Sequence, residues 1–339
     1  MKLCRAAVRI LIFSVPLSVY GHHSASEFDR SVVTEFDGEV LSVSWRNPHI
    51  LLEVATTDEG GREIIWNVEG AAVSAQRRHG VTSGLIQVGD QVRIAGAAST
   101  RRPGYMIVDH LLLPNGVELL VGANREARWS DTAVGGNPWS VDPEKAAVAQ
   151  GQGIFRVWSR DVRPWYFRPV DQYQLTESAL AAAADWNEFE DNPLLDCTAP
   201  GMPALMGNPY PMEFVERDGV LELRFEEFDV VREIHLAAGR TEADVPASPL
   251  GYSVGRWDGD TLLVTTSKIN WPYFDRVGVS QSAAVEVHES FRVVENGNRL
   301  EYDMTVTDPQ TLVDPFVWHG QWAWRPGEEV NRYDCTLEE

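Results

Sequence analysis

The sequence predicts a mainly β protein, with an amino-terminal OB-like five-stranded barrel, a carboxy-terminal lipocalin-like antiparallel β-barrel and few helices. Short β-branched and aromatic stretches alternate with Gly, Asp and Asn turns over residues 31–120. A second series of such stretches runs from residue 212 to the end of the chain. One helical segment falls between the third and fourth strands of the first series, which is the strand order of an OB-type barrel.

The first domain is expected to cover residues 22–121. Gly38 lies inside the first strand, where an interior glycine often marks a bulge or a sharp bend. The short helix is expected over Ala71–Arg78, ended by Gly80. The five predicted strands are Val32–Trp45, His49–Thr56, Ile64–Glu69, Gln91–Gly96 and Tyr105–Leu113.

The second domain is expected over residues 176–339, after a linker or extended arm at 122–175 in which Gly, Pro, Asn and Trp crowd together. Thr176 can cap a helix that runs to Trp186 through an alanine run. A meander of eight or nine strands is most economically closed into a barrel. The predicted strands are Met212–Val215, Val220–Phe228, Val231–Leu236, Tyr252–Trp257, Thr261–Ile269, Ala284–Val294, Arg299–Val306, Phe316–Trp324 and Val330–Thr336.

The first 21 residues have the pattern of a signal peptide. Basic residues precede an apolar run from Ile10 to Tyr20, and the small residue Gly21 follows it. This run is shorter than the roughly 20 residues that a membrane span needs, and no later run in the sequence is long and apolar enough. We therefore expect a periplasmic or secreted protein without a transmembrane segment.

Charge and cysteine usage limit the function classes. The formal net charge of −21 repels nucleic acid. After signal removal Cys197 and Cys335 remain, and in an oxidising compartment a disulfide between them is favoured over two free buried thiols. The sequence has no phosphate-binding Gly-rich loop with lysine, no dinucleotide fingerprint, no zinc-binding helix and no serine elbow, so no common cofactor is predicted.

Two sets of motifs resemble uncharacterised exported bacterial families, and these resemblances imply export and an OB-like first domain without any established activity. Residues 21–121 carry the first set: Gly21-His22-His23-Ser24, Glu27-Phe28-Asp29, Phe36-Asp37-Gly38-Glu39-Val40, Trp45-Arg46-Asn47-Pro48-His49 and Trp66-Asn67-Val68-Glu69. Residues 170–339 carry the second: Cys197-Thr198-Ala199-Pro200-Gly201, Asn208-Pro209-Tyr210-Pro211, Gly255-Arg256-Trp257-Asp258-Gly259-Asp260-Thr261-Leu262 and Tyr333-Asp334-Cys335.

The mature amino terminus is a candidate copper site. Cleavage after Gly21 would leave His22 first, offering an α-amine and a ring nitrogen, with His23 or His49 to complete the ligand set. Cleavage one residue earlier would place a histidine third, which also suits copper. The alternative is a solvated, polar start, with the imidazole of His49 bound to a turn carbonyl.

Aromatic residues of the second domain are candidate ligand contacts. Trp322 and Trp324 alternate along one strand face, and aromatic side chains with polar tips line ligand-holding barrels. A barrel of about eight strands can equally be filled by its own side chains, so both alternatives stay open. The candidates are Tyr210, Phe228, Trp257, Trp271, Tyr273, Phe274, Arg276, Trp318, Trp322 and Trp324.

Three residues are candidates for acid–base catalysis: Asp229, His235 and Asp275. Asp229 and His235 are six apart, so on one uninterrupted strand they would share a face. A carboxylate in an aromatic cavity would have a raised pKa and could transfer protons. The alternative for each residue is a solvent-facing charge or a structural pair.

The sequence therefore predicts first an exported protein that binds a small, largely apolar molecule in its second barrel. The first domain would act as an adaptor or lid, with an envelope protein as its candidate partner. The second hypothesis is a cofactor-free lyase, isomerase, hydratase or cyclase that uses Asp229, His235 or Asp275. Copper binding at the amino terminus is the third.

Overall fold

A computed structural model describes residues 27–47, 49–58, 60–122, 126–135, 144, 151–160, 174–187, 191–208, 210–236, 245–276 and 278–335. Its described residues form two closed β-barrels, one after the other along the chain, which confirms the predicted fold class. The predicted signal peptide lies outside the described residues, as do His22 and His23. Among the helices of the described chain, none combines the length and the apolar character needed to cross a bilayer.

The first barrel has the predicted OB-like closure. Antiparallel pairing joins β3 to β2, β2 to β1, β1 to β4 and β4 to β5, and a parallel pairing of β3 with β5 closes the ring. The short helix α1, Val73–Arg78, lies between β3 and β4 as expected. The strands are β1 Thr34–Ser44, β2 Leu51–Thr57, β3 Glu63–Glu69, β4 Gln91–Ala98 and β5 Tyr105–Leu112, and two short strands, β6 Glu118–Leu120 and β7 Ala133–Gly135, extend the sheet beyond β5.

Gly38 has a different role from the predicted bulge. The register of β1 against β2 shifts between Val40 and Ser42, so the bulge falls further along the strand. At Gly38 a Cβ atom would lie only 2.5 Å from the carbonyl oxygen of Ala55. Glycine is therefore needed here because β2 approaches the backbone of β1 closely.

The second barrel contains nine strands in the closed order β10-β11-β12-β13-β14-β15-β16-β8-β9. Buried residues alternate with more exposed ones along most of its strands, and the buried ones form one continuous apolar core. The strands are β8 Val157–Arg160, β9 Met212–Arg217, β10 Val220–Phe225, β11 Val231–His235, β12 Tyr252–Asp258, β13 Thr261–Ser267, β14 Glu286–Val294, β15 Arg299–Thr307 and β16 Phe316–Trp324.

One barrel strand comes from the segment that we interpreted as a linker or arm. β8 pairs with β16 on one side and with β9 on the other, and so closes the ring. The strand predicted over Val330–Thr336 does not take this place. Its described part contributes only an isolated bridge between Asn47 and Cys335.

The barrel also departs from a pure antiparallel meander at one seam. β11 and β12 pair in parallel, through Ile234 with Ser253 and His235 with Val254. Parallel neighbours need a connection of about a dozen or more residues, because the chain must return to the same end of the sheet. The connection from His235 to Tyr252 is long enough to make this return.

Helix α2, Glu177–Asp185, precedes the second strand series as predicted. The Thr176 hydroxyl accepts a hydrogen bond from the backbone N–H of Ala179 at 3.3 Å and so caps the helix. Farther along, a disulfide joins Cys197 to Cys335, as the cysteine count predicts.

Candidate ligand-binding cleft

The centre of the second barrel is filled by its own side chains. An aromatic chain crosses it: ring centroids lie 5.3 Å apart for Phe214 and Phe291, 4.8 Å for Phe291 and Tyr302, and 5.3 Å for Tyr302 and Trp322. All four residues are fully buried. Among the described residues, the barrel centre therefore leaves no space for a ligand.

A buried polar cluster lies beside these aromatic rings. The Arg232 guanidinium binds the Glu289 carboxylate through both terminal nitrogens, one of them at 2.9 Å from Oε1. The Tyr302 hydroxyl donates to the same oxygen at 2.8 Å, and Arg232 also donates to the hydroxyls of Ser253 and Thr266. This cluster balances one positive charge with one negative charge and satisfies the carboxylate inside the core.

Arg160 is a buried cation without a carboxylate partner in the described part of the chain. Its Nη2 donates to the carbonyl oxygen of Met206 at 2.8 Å. Its guanidinium carbon lies 4.3 Å from the ring centroid of Trp322 and 5.0 Å from that of Trp318. Burial lowers the pKa of Arg160 to about 9, because the charged form loses its hydration.

A cleft of about 430 Å³ opens at the barrel end where β8 begins and β16 ends. It exists because β8 is short. Only Val157 and Trp158 pair with β9, so β9 continues past β8 without a strand neighbour on that side. The lining residues are Gln152, Phe155, Arg156, Val157, Glu213, Phe214, Val215, Glu216, Trp324, Arg325, Gly327 and Glu328.

Arg156 is the most distinctive residue of this cleft. Its guanidinium carbon lies 4.4 Å from the ring centroid of Trp324 and 4.9 Å from that of Trp158. Its Nε donates to the carbonyl oxygen of Gly153 at 2.8 Å. The side chain is largely buried, and the loss of hydration lowers its pKa. Two aromatic rings thus fix the orientation of a cation at the wall of the cleft.

Two carboxylates of the cleft are engaged by arginines that do not line it. Glu213 lies 3.5 Å from Nη1 of Arg224. Glu328 lies 3.1 Å from Nε of Arg78 in the first barrel, and it accepts a hydrogen bond from the hydroxyl of Ser159. Neither carboxylate is paired with Arg156, which forms no ion pair among the described residues.

A second, much smaller cavity of about 10 Å³ lies near the opposite end of the barrel. Four predicted residues line it, Trp271, Tyr273, Asp275 and Arg276. Both terminal nitrogens of Arg276 bind the Glu227 carboxylate, at 2.8 and 2.6 Å. The cavity has room for about one water molecule, which is too little for an organic ligand.

The other predicted ligand contacts are distributed over the domain. Trp324 lines the large cleft, whereas Phe274 and Trp322 belong to the core. Trp257 is 42% exposed near the end of β12. Tyr210 and Phe228 both pack on Tyr333, with ring centroids 5.4 and 4.9 Å away.

The predicted catalytic residues have separate environments. Asp229 does not share a strand face with His235, because the residue precedes β11 with a left-handed backbone, φ 54°. Its carboxylate accepts hydrogen bonds from the backbone N–H of Tyr333 at 3.0 Å and of Asp334 at 3.4 Å. Through these two bonds Asp229 anchors the carboxy-terminal tail. His235 packs on Tyr252, and Asp275 accepts a hydrogen bond from the backbone N–H of Val279 at 3.1 Å.

His49, the described member of the candidate copper site, lies at the surface of the first barrel. Its Nδ1 is 3.2 Å from the carbonyl oxygen of Gly70 and 3.3 Å from Oε1 of Glu69. The contact with Gly70 fits the alternative in which the imidazole of His49 binds a turn carbonyl. His22 and His23, on which the copper hypothesis depends, fall outside the described residues.

The two barrels meet at a cluster of buried charges. Arg78 of α1 pairs with Glu226 and with Glu328 of the second barrel. The side-chain amide of Asn47 also donates to the carbonyl oxygen of Tyr333, next to the disulfide. Asn47 of the Trp45–His49 motif therefore binds the tail of the second domain to the first.

We expect the variant Glu328→Gln to gain stability relative to the wild type as the pH rises. Burial raises the pKa of the Glu328 carboxyl, because its ionised form is poorly hydrated. A carboxyl with a higher pKa in the folded than in the unfolded state binds its proton more tightly when folded. Wild-type stability therefore falls as the pH rises from the unfolded pKa through the folded one, and the variant lacks this fall.

Urea unfolding from about pH 4 to pH 8 measures this difference between the two free energies of unfolding. Glu216→Gln, at an exposed position, is the matched control and should show no such trend. A Glu328→Gln difference that stays constant or decreases with pH would contradict the expectation.

The fold and the cleft together define a two-barrel protein with a cleft of small-molecule size. A model described as a family of unknown function (DUF6152) matches residues 11–105. The match ends at the first residue of β5, so it covers most of the first barrel and none of the second. It agrees with the resemblance of this region to an uncharacterised family. No curated protein matches the chain.

Proposed function

We propose that this is an exported protein that binds a small, largely apolar molecule in the cleft at the end of its second barrel. The observation that carries the proposal is the cleft itself. Its volume of about 430 Å³ lies within the range of roughly 300–1,000 Å³ for small-molecule sites. Phe155 and Trp324 supply apolar surface, and a few charged groups are available to fix orientation.

Export is supported by the signal-like amino-terminal sequence and by the disulfide, which is stable in an oxidising compartment. The short β8 supports the location of the ligand. Aromatic side chains fill the centre of the barrel. More space is left beside the part of β9 that extends past β8 and has no strand neighbour on that side. The first barrel, bound through Arg78 to a residue of the cleft wall, would act as the adaptor or lid.

Binding of N-phenyl-1-naphthylamine, a neutral apolar fluorophore, tests the proposal. We expect saturable binding to the purified full chain, and Trp324→Ala should weaken it about tenfold, because one aromatic wall of the cleft is lost. The control is Trp257→Ala, the same truncation at an exposed position of the same barrel, which should leave the affinity unchanged. Equal losses in the two variants would refute the proposal.

A further inference from the structure

Arg156 has unused hydrogen-bonding capacity in the wall of the cleft. Its Nε donates to Gly153, whereas Nη1 and Nη2 have no hydrogen-bond acceptor among the described residues. The side chain is only 8% exposed. These two N–H groups lie at the wall of the open cleft, where one anionic group could accept hydrogen bonds from both. Because burial reduces the hydration of the guanidinium, such a partner is worth more here than at a fully exposed arginine.

We propose that the cleft selects ligands with one anionic head group, a carboxylate or a sulfonate, and that Arg156 binds this group. The inference rests on the proposed function and adds the chemical class of the ligand. A planar guanidinium offers two parallel N–H groups, which match the two oxygens of such a head group. The apolar body of the ligand would then lie along Phe155 and Trp324.

The surroundings of Arg156 hold the guanidinium in place for this role. The indole rings of Trp158 and Trp324 contact it, so little side-chain entropy is lost when a ligand binds. Gly297 leaves room beside it, because a Cβ atom at this position would lie 3.0 Å from Nη2. The guanidinium is therefore oriented before a ligand arrives.

The charges around the cleft favour a single negative charge on the ligand. Glu213 and Glu328 have arginine partners of their own, Arg224 and Arg78, so they do not compete for Arg156. Glu216 lines the cleft at an exposed position and would repel a second anionic group. The net charge of −21 acts mostly over distances that salt screens, beyond roughly 8 Å, whereas Arg156 would touch the head group directly.

Two fluorophores that differ by one sulfonate test the inference: 8-anilinonaphthalene-1-sulfonate and the neutral N-phenyl-1-naphthylamine. We expect the full-length wild-type protein to bind the sulfonate at least about tenfold more tightly. Arg156→Gln should remove this preference while the neutral probe still binds. The control is Arg256→Gln, the same change at an exposed arginine of β12, which should retain the preference.

The outcomes separate the two proposals. If the neutral probe binds the wild type as tightly as the sulfonate, or if Arg156→Gln keeps the preference, the anionic class is wrong and the ligand cleft stands. If neither probe binds the wild type, both proposals fail. Arg156→Lys keeps the charge without the planar fork and should show an intermediate preference. Should Arg156→Gln not fold, judged by its thermal unfolding, the wild-type comparison of the two probes still decides.

Discussion

Replacing Glu289 by leucine is expected to lower the free energy of unfolding by about 3–5 kcal/mol. The change leaves the Arg232 guanidinium in the core of the second barrel without its carboxylate partner. It also removes the acceptor of the Tyr302 hydroxyl. An uncompensated buried charge costs much more than the ion pair contributes when it is intact, so this single substitution ranks among the most damaging in the barrel.

The double variant Arg232→Met with Glu289→Leu is the informative comparison. Removing both charges replaces the pair by apolar side chains and should restore a large part of the lost stability. Glu286→Leu, an outward-facing position on the same strand, is the control and should change stability by no more than about 0.5 kcal/mol. Guanidinium chloride unfolding measures all four proteins, and a double variant no more stable than the single one would show that the cluster contributes through packing.

Loss of the disulfide is expected to destabilise the second domain by about 2–5 kcal/mol. The bridge closes a loop between cysteines 138 positions apart, and a cross-link of this span removes much of the freedom of the unfolded chain. It also fixes the tail, whose Tyr333 backbone is bound by Asp229 and by Asn47. Cys335→Ser should therefore lower stability and expose the tail to proteases.

Reductant provides the control for this experiment. It should lower the stability of the wild type to that of the double variant Cys197→Ser with Cys335→Ser, and it should leave the double variant itself unchanged. Urea unfolding with and without dithiothreitol measures both effects. Wild-type stability that does not respond to reductant under denaturing conditions would contradict a stabilising role for the bridge.

The first barrel was predictable because local signals agree with one another there. The strands are rich in β-branched and other apolar residues and are separated by turn residues, so the predicted and observed strands differ by only a few residues. The disulfide was predictable from the cysteine count. The aromatic residues of the second domain were predicted as ligand contacts, with a filled core as the alternative, and two of them, Phe274 and Trp322, are buried in the core.

The cleft was not predictable, because its key residues lie where local patterns carry little information. β8 has only four residues, which is too short for a clear alternation, and it follows a stretch rich in glycine and proline. Arg156 and Arg160 therefore received no structural assignment from the sequence. The even spacing of Asp229 and His235 predicted a shared strand face, and this prediction was wrong. The backbone is left-handed at Phe228 and Asp229, so the two residues do not lie on one uninterrupted strand.

The position of β8 also makes closure of the second barrel depend on distant parts of the chain. β8 precedes β9 by about fifty residues, and its other neighbour, β16, is the last strand of the ring. Until Phe316–Trp324 pairs with β8, one edge of β8 has no partner and the barrel remains open. Because contacts between residues far apart in sequence form slowly, we expect the pairing of β8 with β16 to be a late step of folding.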